Sequence, residues 1–116
     1  MSELKITVGG AIEEEVSQRF IDAWRRAERA EVFEERNLAF ENWDTLARVL
    51  TAKRMELLSH VRRHKITSIR ALAKALQRDY SNVHADVQAL ASAGLLESKP
   101  GSIRADYDSI QTKIAI

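Results

Sequence analysis

Between Thr67 and Tyr107 the chain places two helical patterns three residues apart and then doubles back through a Pro-Gly pair. Few folds accommodate that order. Ile69, Leu72, Ala73 and Leu76 fall at i, i+3, i+4 and i+7, the inward face of one helix, with Ser68 or Thr67 as its cap. Gln77-Arg78-Asp79 reads as a turn. A second helix is predicted from about Tyr80 to Ala93, stopped by Gly94 in a left-handed conformation. Leu95 to Lys99 reads as a strand and Ser102 to Tyr107 as its return. Between them Pro100-Gly101 supplies the fixed and the free φ of a type II turn.

At 100° per residue, Tyr80, Val83, Val87 and Leu90 lie on one side of the second helix and are assigned to the core. Ser81, Ala85, Gln88 and Ser92 lie opposite, with His84 on one flank and Asn82 and Ala89 on the other. A helix meeting only water would more often carry Glu and Lys there. Short, amide and imidazole side chains suit a helix pressed into a groove. Helix, turn, helix and hairpin together are the layout of a winged helix-turn-helix, which sets one helix in the major groove of duplex DNA. The expected base contacts are Ser81, Asn82, His84, Ala85 and Gln88. Glutamine bonds adenine at two points, serine and asparagine bond bases or phosphates, and alanine meets a thymine methyl. The expected phosphate contacts are Arg70, Lys74, Arg78, Tyr80, Lys99 and Arg104, which position the helix without reading sequence. A hairpin with cations on both arms lies along the backbone or enters the minor groove. Asp86 opposes this reading unless a neighbouring Arg or Lys pairs with it.

The predicted fold class is α+β, mainly α: a winged helix-turn-helix domain over 41–116 with an N-terminal strand-helix extension over 1–40. Leu4, Ile6 and Val8 alternate with Lys5 and Thr7 as a strand, which Gly9-Gly10 ends. Ile12, Val16, Phe20, Ala23, Trp24 and Ala27 predict a helix over about 11–30. Glu13, Glu14 and Glu15 sit in its first turn and Arg25, Arg26 and Arg29 in its last turns, as the helix dipole favours. Residues 32–40 read as extended, a connector or an edge strand. Asn42 caps a helix with Trp43, Leu46, Ala47 and Leu50 as its apolar stripe. Thr51 caps the next, over about 52–64, with Leu57, Leu58 and Val61 inside. Ile110, Thr112, Ile114 and Ile116 alternate as a closing strand.

The net charge of +1 conceals an asymmetry. Residues 1–50 carry seven Lys/Arg and eleven Asp/Glu, a balance of −4; residues 51–116 carry eleven and six, a balance of +5. The basic half suits a polyanion, through counterion release. The acidic half suits a basic protein or a partner subunit. The absence of cysteine excludes disulfides and thiolate metal sites. His60 and His64 are i, i+4 neighbours, but Arg62, Arg63 and Lys65 crowd them and no third ligand is near, so no metal is expected. No nucleophile–base pair or carboxylate group suggests catalysis, and Gly9-Gly10 is too short for a phosphate loop. The expectation is a non-enzyme without a cofactor. No apolar run approaches the roughly 18 residues of a membrane span. The Met1-Ser2-Glu3-Leu4 start lacks a signal layout, so a cytoplasmic protein is expected.

Phe40-Glu41-Asn42-Trp43 through Val49-Leu50-Thr51-Ala52-Lys53-Arg54, then Ile69-Arg70-Ala71-Leu72-Ala73 and Arg78 to Val87, resemble small prokaryotic winged-helix proteins related broadly to MarR-type regulators. Members of that group are often the antitoxin of a toxin–antitoxin pair. The resemblance is good from Phe40 onward and looser before it. It departs at Ser81 and Ala85, where the group carries longer basic residues. It implies a repressor that binds its own promoter and a cognate toxin protein. The toxin surface is assigned to residues 1–40, which are acidic and not needed by the DNA module. A homodimer is expected, since one helix reads half a site; the N-terminal strand and helix or the closing isoleucine strand would form it. Two alternatives stand: a stand-alone MarR-like regulator, with Trp24 and Trp43 lining a small pocket, and a protein-association adaptor without DNA binding.

Overall fold

A computed structural model describes residues 2–9 and 35–116, so the helix expected over 11–30 lies outside the described residues. The described part is α+β, with four helices and five strands. Contacts group residues 1–46 with 107–116 as one unit and 47–106 as another. The closing strand groups with the N-terminal unit because it pairs with the first strand.

In the first unit β1 (Glu3–Val8) is flanked by β2 (Glu35–Phe40) and β5 (Ser109–Ile114), both parallel to it. Leu4 faces Arg36 and Ile110, Ile6 faces Leu38 and Thr112, and Val8 faces Phe40 and Ile114. Leu4, Ile6 and Val8 of β1 are buried, as the period-two pattern predicts, and Thr7 between them is buried as well. The stretch 35–40 is extended, as expected, and takes an outer position in the sheet. Gly9 turns the chain at φ +72 and its N–H donates to the Phe40 carbonyl at 3.0 Å. At the other end of β1, the Asp108 N–H donates to the Ser2 carbonyl at 2.8 Å.

Asn42 Oδ1 accepts the Thr45 N–H at 2.9 Å and so caps α1 (Trp43–Val49). The expected four-residue stripe shrinks here to Leu46. Trp43 is 56% exposed, Ala47 is exposed and Leu50 is half-buried. A helix of seven residues has two turns, and only Leu46 near its middle is buried.

The second unit is built from local signals. Thr51 accepts the Arg54 N–H at 3.3 Å and starts α2 (Ala52–Arg63), which buries Leu57, Leu58 and Val61. Ser68 accepts the Ala71 N–H at 3.1 Å and starts α3 (Ile69–Leu76), which buries Leu72 and Ala73. Gln77 then adopts the left-handed conformation (φ 54, ψ 47). Arg78 N–H reaches back to the Ala73 carbonyl at 3.0 Å and Gln77 N–H to that of Lys74 at 3.2 Å, which closes the helix end. The same stop recurs after α4 (Tyr80–Ser92). Gly94 sits at φ +85, with Leu95 N–H on the Leu90 carbonyl at 2.9 Å and Gly94 N–H on that of Ala91 at 3.1 Å.

Val83, Val87 and Leu90 of α4 are fully buried, each contributing about 1.5–3 kcal/mol by removal from water. The strand expected over 95–99 is shorter, β3 (Glu97–Lys99), because Leu95 and Leu96 turn into the core directly after the helix stop. β3 pairs antiparallel with β4 (Ser102–Arg104), Lys99 opposite Ser102. Gly101, at φ +80 after Pro100, has the sign a type II turn requires. Ile66 bridges Ile103 on the other side of β4.

Candidate nucleic-acid interface

The turn at Gln77 and the burial of Val83, Val87 and Leu90 fix the rotation of α4. That rotation leaves Ser81, Asn82, His84, Ala85 and Gln88 exposed together, with no charged residue among them. Tyr80 departs from the core face to which its spacing assigned it and is 48% exposed. It opens the first turn of α4, ahead of the buried positions, and its ring finds cover against His84 one turn on. The ring centroids are 5.9 Å apart and tilted by 39°.

Asp86 lies on the flank of α4 between two arginines. Arg54 Nε from α2 donates to Oδ1 at 3.0 Å and Arg78 Nη2 from the turn donates to Oδ2 at 2.7 Å. The three side chains are only 14–19% exposed. Arg54 Nη1 also donates to the Arg48 and Val49 carbonyls at 3.0 Å each, so one guanidinium ties the end of α1 to α4. Burial pushes the Asp86 carboxyl up, but the hydrogen bonds and charges of Arg78 and Arg54 outweigh it and hold the group below the usual carboxylate range. Arg78, expected at a phosphate, is instead engaged with Asp86 and mostly covered, and its Nη1 is buried without a hydrogen-bond partner among the described residues. No local signal points to Arg54, which is 32 residues away from Asp86 in the chain.

The remaining expected phosphate contacts differ in freedom. Arg70 and Lys74 on α3 are exposed and in no ion pair among the described residues. Lys99 pairs with Glu97 at 2.7 Å and Arg104 with Asp106 at 3.0 Å, both pairs open to solvent at the cation. Such surface pairs contribute about 0–1 kcal/mol and yield readily to a phosphate. The Ser81 hydroxyl donates to Asp79, which lowers the pKa of that carboxyl and leaves the serine oxygen free to accept.

His60 and His64 stack at 4.2 Å between centroids, and His64 Nδ1 donates to the His60 carbonyl at 3.0 Å. Burial, then the neighbouring His64, lowers the pKa of His60. No group of three metal-ligating side chains occurs among the described residues. No helix among them is long and apolar enough to cross a membrane.

The described chain thus combines a parallel three-stranded sheet with a unit of three helices and a hairpin that presents an uncharged helix face between exposed cations. The sequence model of the HVO_A0114 family matches residues 49–112, more than half of the 116, and the chain belongs to that family. The match takes in α2, α3, α4 and the hairpin. No curated protein and no solved structure matches the chain.

Proposed function

We propose that residues 52–104 are a winged helix-turn-helix and that α4 is its recognition helix, entering the major groove of duplex DNA. The observation that carries the reading is the outer face of α4. Ser81, Asn82, His84, Ala85 and Gln88 are exposed as a group, and the helix's one acid, Asp86, is neutralised by Arg54 and Arg78. The order α2, the bridging residue Ile66, α3, α4, β3 and β4 supports the fold assignment. Arg70, Lys74, Lys99 and Arg104 supply backbone contacts around that face, and Tyr80 offers a hydroxyl beside them.

The proposal extends, through the resemblance at 40–54, 69–73 and 78–87, to a repressor of its own promoter that acts as the antitoxin of a cognate toxin. The protein pairs as a homodimer to read two half-sites. Residues 1–40 meet the toxin.

Two substitutions separate the contact classes in a gel shift on the protein's own promoter. Arg70→Ala should weaken binding to every duplex and reduce the salt slope by about one. Gln88→Ala should cost about 1–3 kcal/mol, mainly against one base position. A shift unchanged by both refutes the groove assignment. Co-purification of the neighbouring gene product with the protein tests the antitoxin role.

A further inference from the structure

We infer that a duplex bound by α4 is held at a second place: a basic cleft between the end of α2 and the hairpin takes the phosphodiester backbone of the flanking DNA. This rests on the reading of α4 given above. The cleft has a volume of about 440 Å³ and is lined by residues 61–66 and 101–106. Arg62, Arg63, Lys65 and Arg104 line it against one carboxylate, Asp106, a balance of +3 before His64 is counted. That carboxylate is itself held by Arg104.

Cations at the last turn of a helix are expected from its dipole, and this accounts for Arg62 and Arg63. It does not account for Lys65, which lies beyond the helix, or for Arg104, which lies on the opposite wall. The antiparallel bridge between Ile66 and Ile103 sets Lys65 and Arg104 side by side. Arg63 and Lys65 are exposed and in no ion pair among the described residues. The floor is firm, since Val61, Ile66 and Ile103 are buried. One wall is low: nothing lies within 4 Å of the place a side chain would take at Gly101. The cleft begins at Gly101 and Ser102, next along the hairpin from Lys99, to which the reading above assigns a backbone contact. A positive, open channel beside that hairpin tip fits a polyanion strand by charge.

The test uses the full chain with Arg63→Gln and Lys65→Gln combined, and a fluorescent promoter duplex that extends beyond the α4 footprint. Affinity is measured across salt from roughly 50 to 200 mM. The double variant should show a salt slope shallower by about two, with an unchanged urea midpoint and an unchanged base preference. Trimming the duplex to the α4 footprint should remove the difference between variant and parent. If the parent binds duplex and the variant keeps its full slope, the cleft assignment is overturned while α4 stands. If the parent shows no salt-dependent duplex affinity, the reading of α4 falls and this inference with it. Pyrophosphate binding that the double variant abolishes, with the DNA slope untouched, assigns the cleft to a free anion and also overturns the inference.

Discussion

Replacing Asp86 by Ala should destabilise the protein by about 1–3.5 kcal/mol, and the structure shows where that figure arises. Among the described residues the carboxylate is the one partner of the Arg78 guanidinium, which is 19% exposed and has one nitrogen already buried without a partner. Stranding that charge costs about 1–3 kcal/mol. Arg54 also loses a bond but keeps the Arg48 and Val49 carbonyls, so its loss is smaller, about 0.5–1 kcal/mol. Alanine's better helix propensity returns roughly 0.5 kcal/mol. In urea, where a small protein loses about 1–3 kcal/mol per molar, the midpoint should fall by about 1 M at the middle of both ranges. The combined change Arg78→Met with Asp86→Leu should recover at least about 1 kcal/mol over Asp86→Ala, because an apolar pair needs no counter-charge. The pH dependence has a definite sign. The folded-state pKa is lowered from 3.8, so the contribution is complete above that value and is lost as pH falls through the folded pKa. The gap between the parent and Asp86→Asn should therefore be flat from about pH 5 to 8 and close in stronger acid. A loss below about 0.5 kcal/mol for Asp86→Ala, or strict additivity with Arg78→Met, would refute the clamp.

Gln77 occupies a left-handed position at the helix turn, so Gln77→Gly should stabilise by about 0.5–1 kcal/mol and Gln77→Val should destabilise by at least as much, read from urea midpoints; the opposite order would refute strain at this residue. Burial pushes the Tyr107 phenol up to about 12 against the opposing charge of Arg36. A raised folded-state pKa means that stability is intact below 10.0 and falls as pH rises toward 12, where the unfolded phenol ionises first. Tyr107→Phe should remove that part of the alkaline fall in a denaturation series from pH 9 to 12, and an unchanged slope contradicts the assignment.

Much of the helical unit was legible because its signals are local. Asn42, Thr51 and Ser68 cap the helices their positions announce, Gly94 stops α4 at positive φ, and Pro100-Gly101 turns the hairpin. Burial of Val83, Val87 and Leu90 follows from the 100° rotation alone. The same rule failed for Trp43 and Tyr80. Both occupy the first position of a helix, where periodicity names a side but not whether anything covers it. Gln77 carries no mark of the left-handed role that glycine fills after α4. On the candidate face, the exposure of Gln88 and Ser81 was readable and the engagement of Arg78 was not. An ion pair depends on what the fold brings near, as Arg54 shows. Strand partners were hidden for the same reason: alternation predicts strands at 4–8 and 110–116 and leaves 32–40 as a connector or an edge strand, but does not say that the first joins the other two.

The pairing of β1 with β5 makes the helical unit a nested insertion. β2 leaves the sheet at Phe40 and β5 enters at Ser109, on opposite ends because all three strands run the same way. Leu4 meets Ile110 only by closing a loop of about a hundred residues, a cost that grows with loop length and shrinks when the intervening chain is already compact. On the ribosome the insertion, whose contacts are short in sequence, should therefore fold first and the sheet should close last. A proteolytic nick within the insertion would leave β5 without a covalent link to β1, held by strand pairing and by the buried residues of the insertion on either side of the cut.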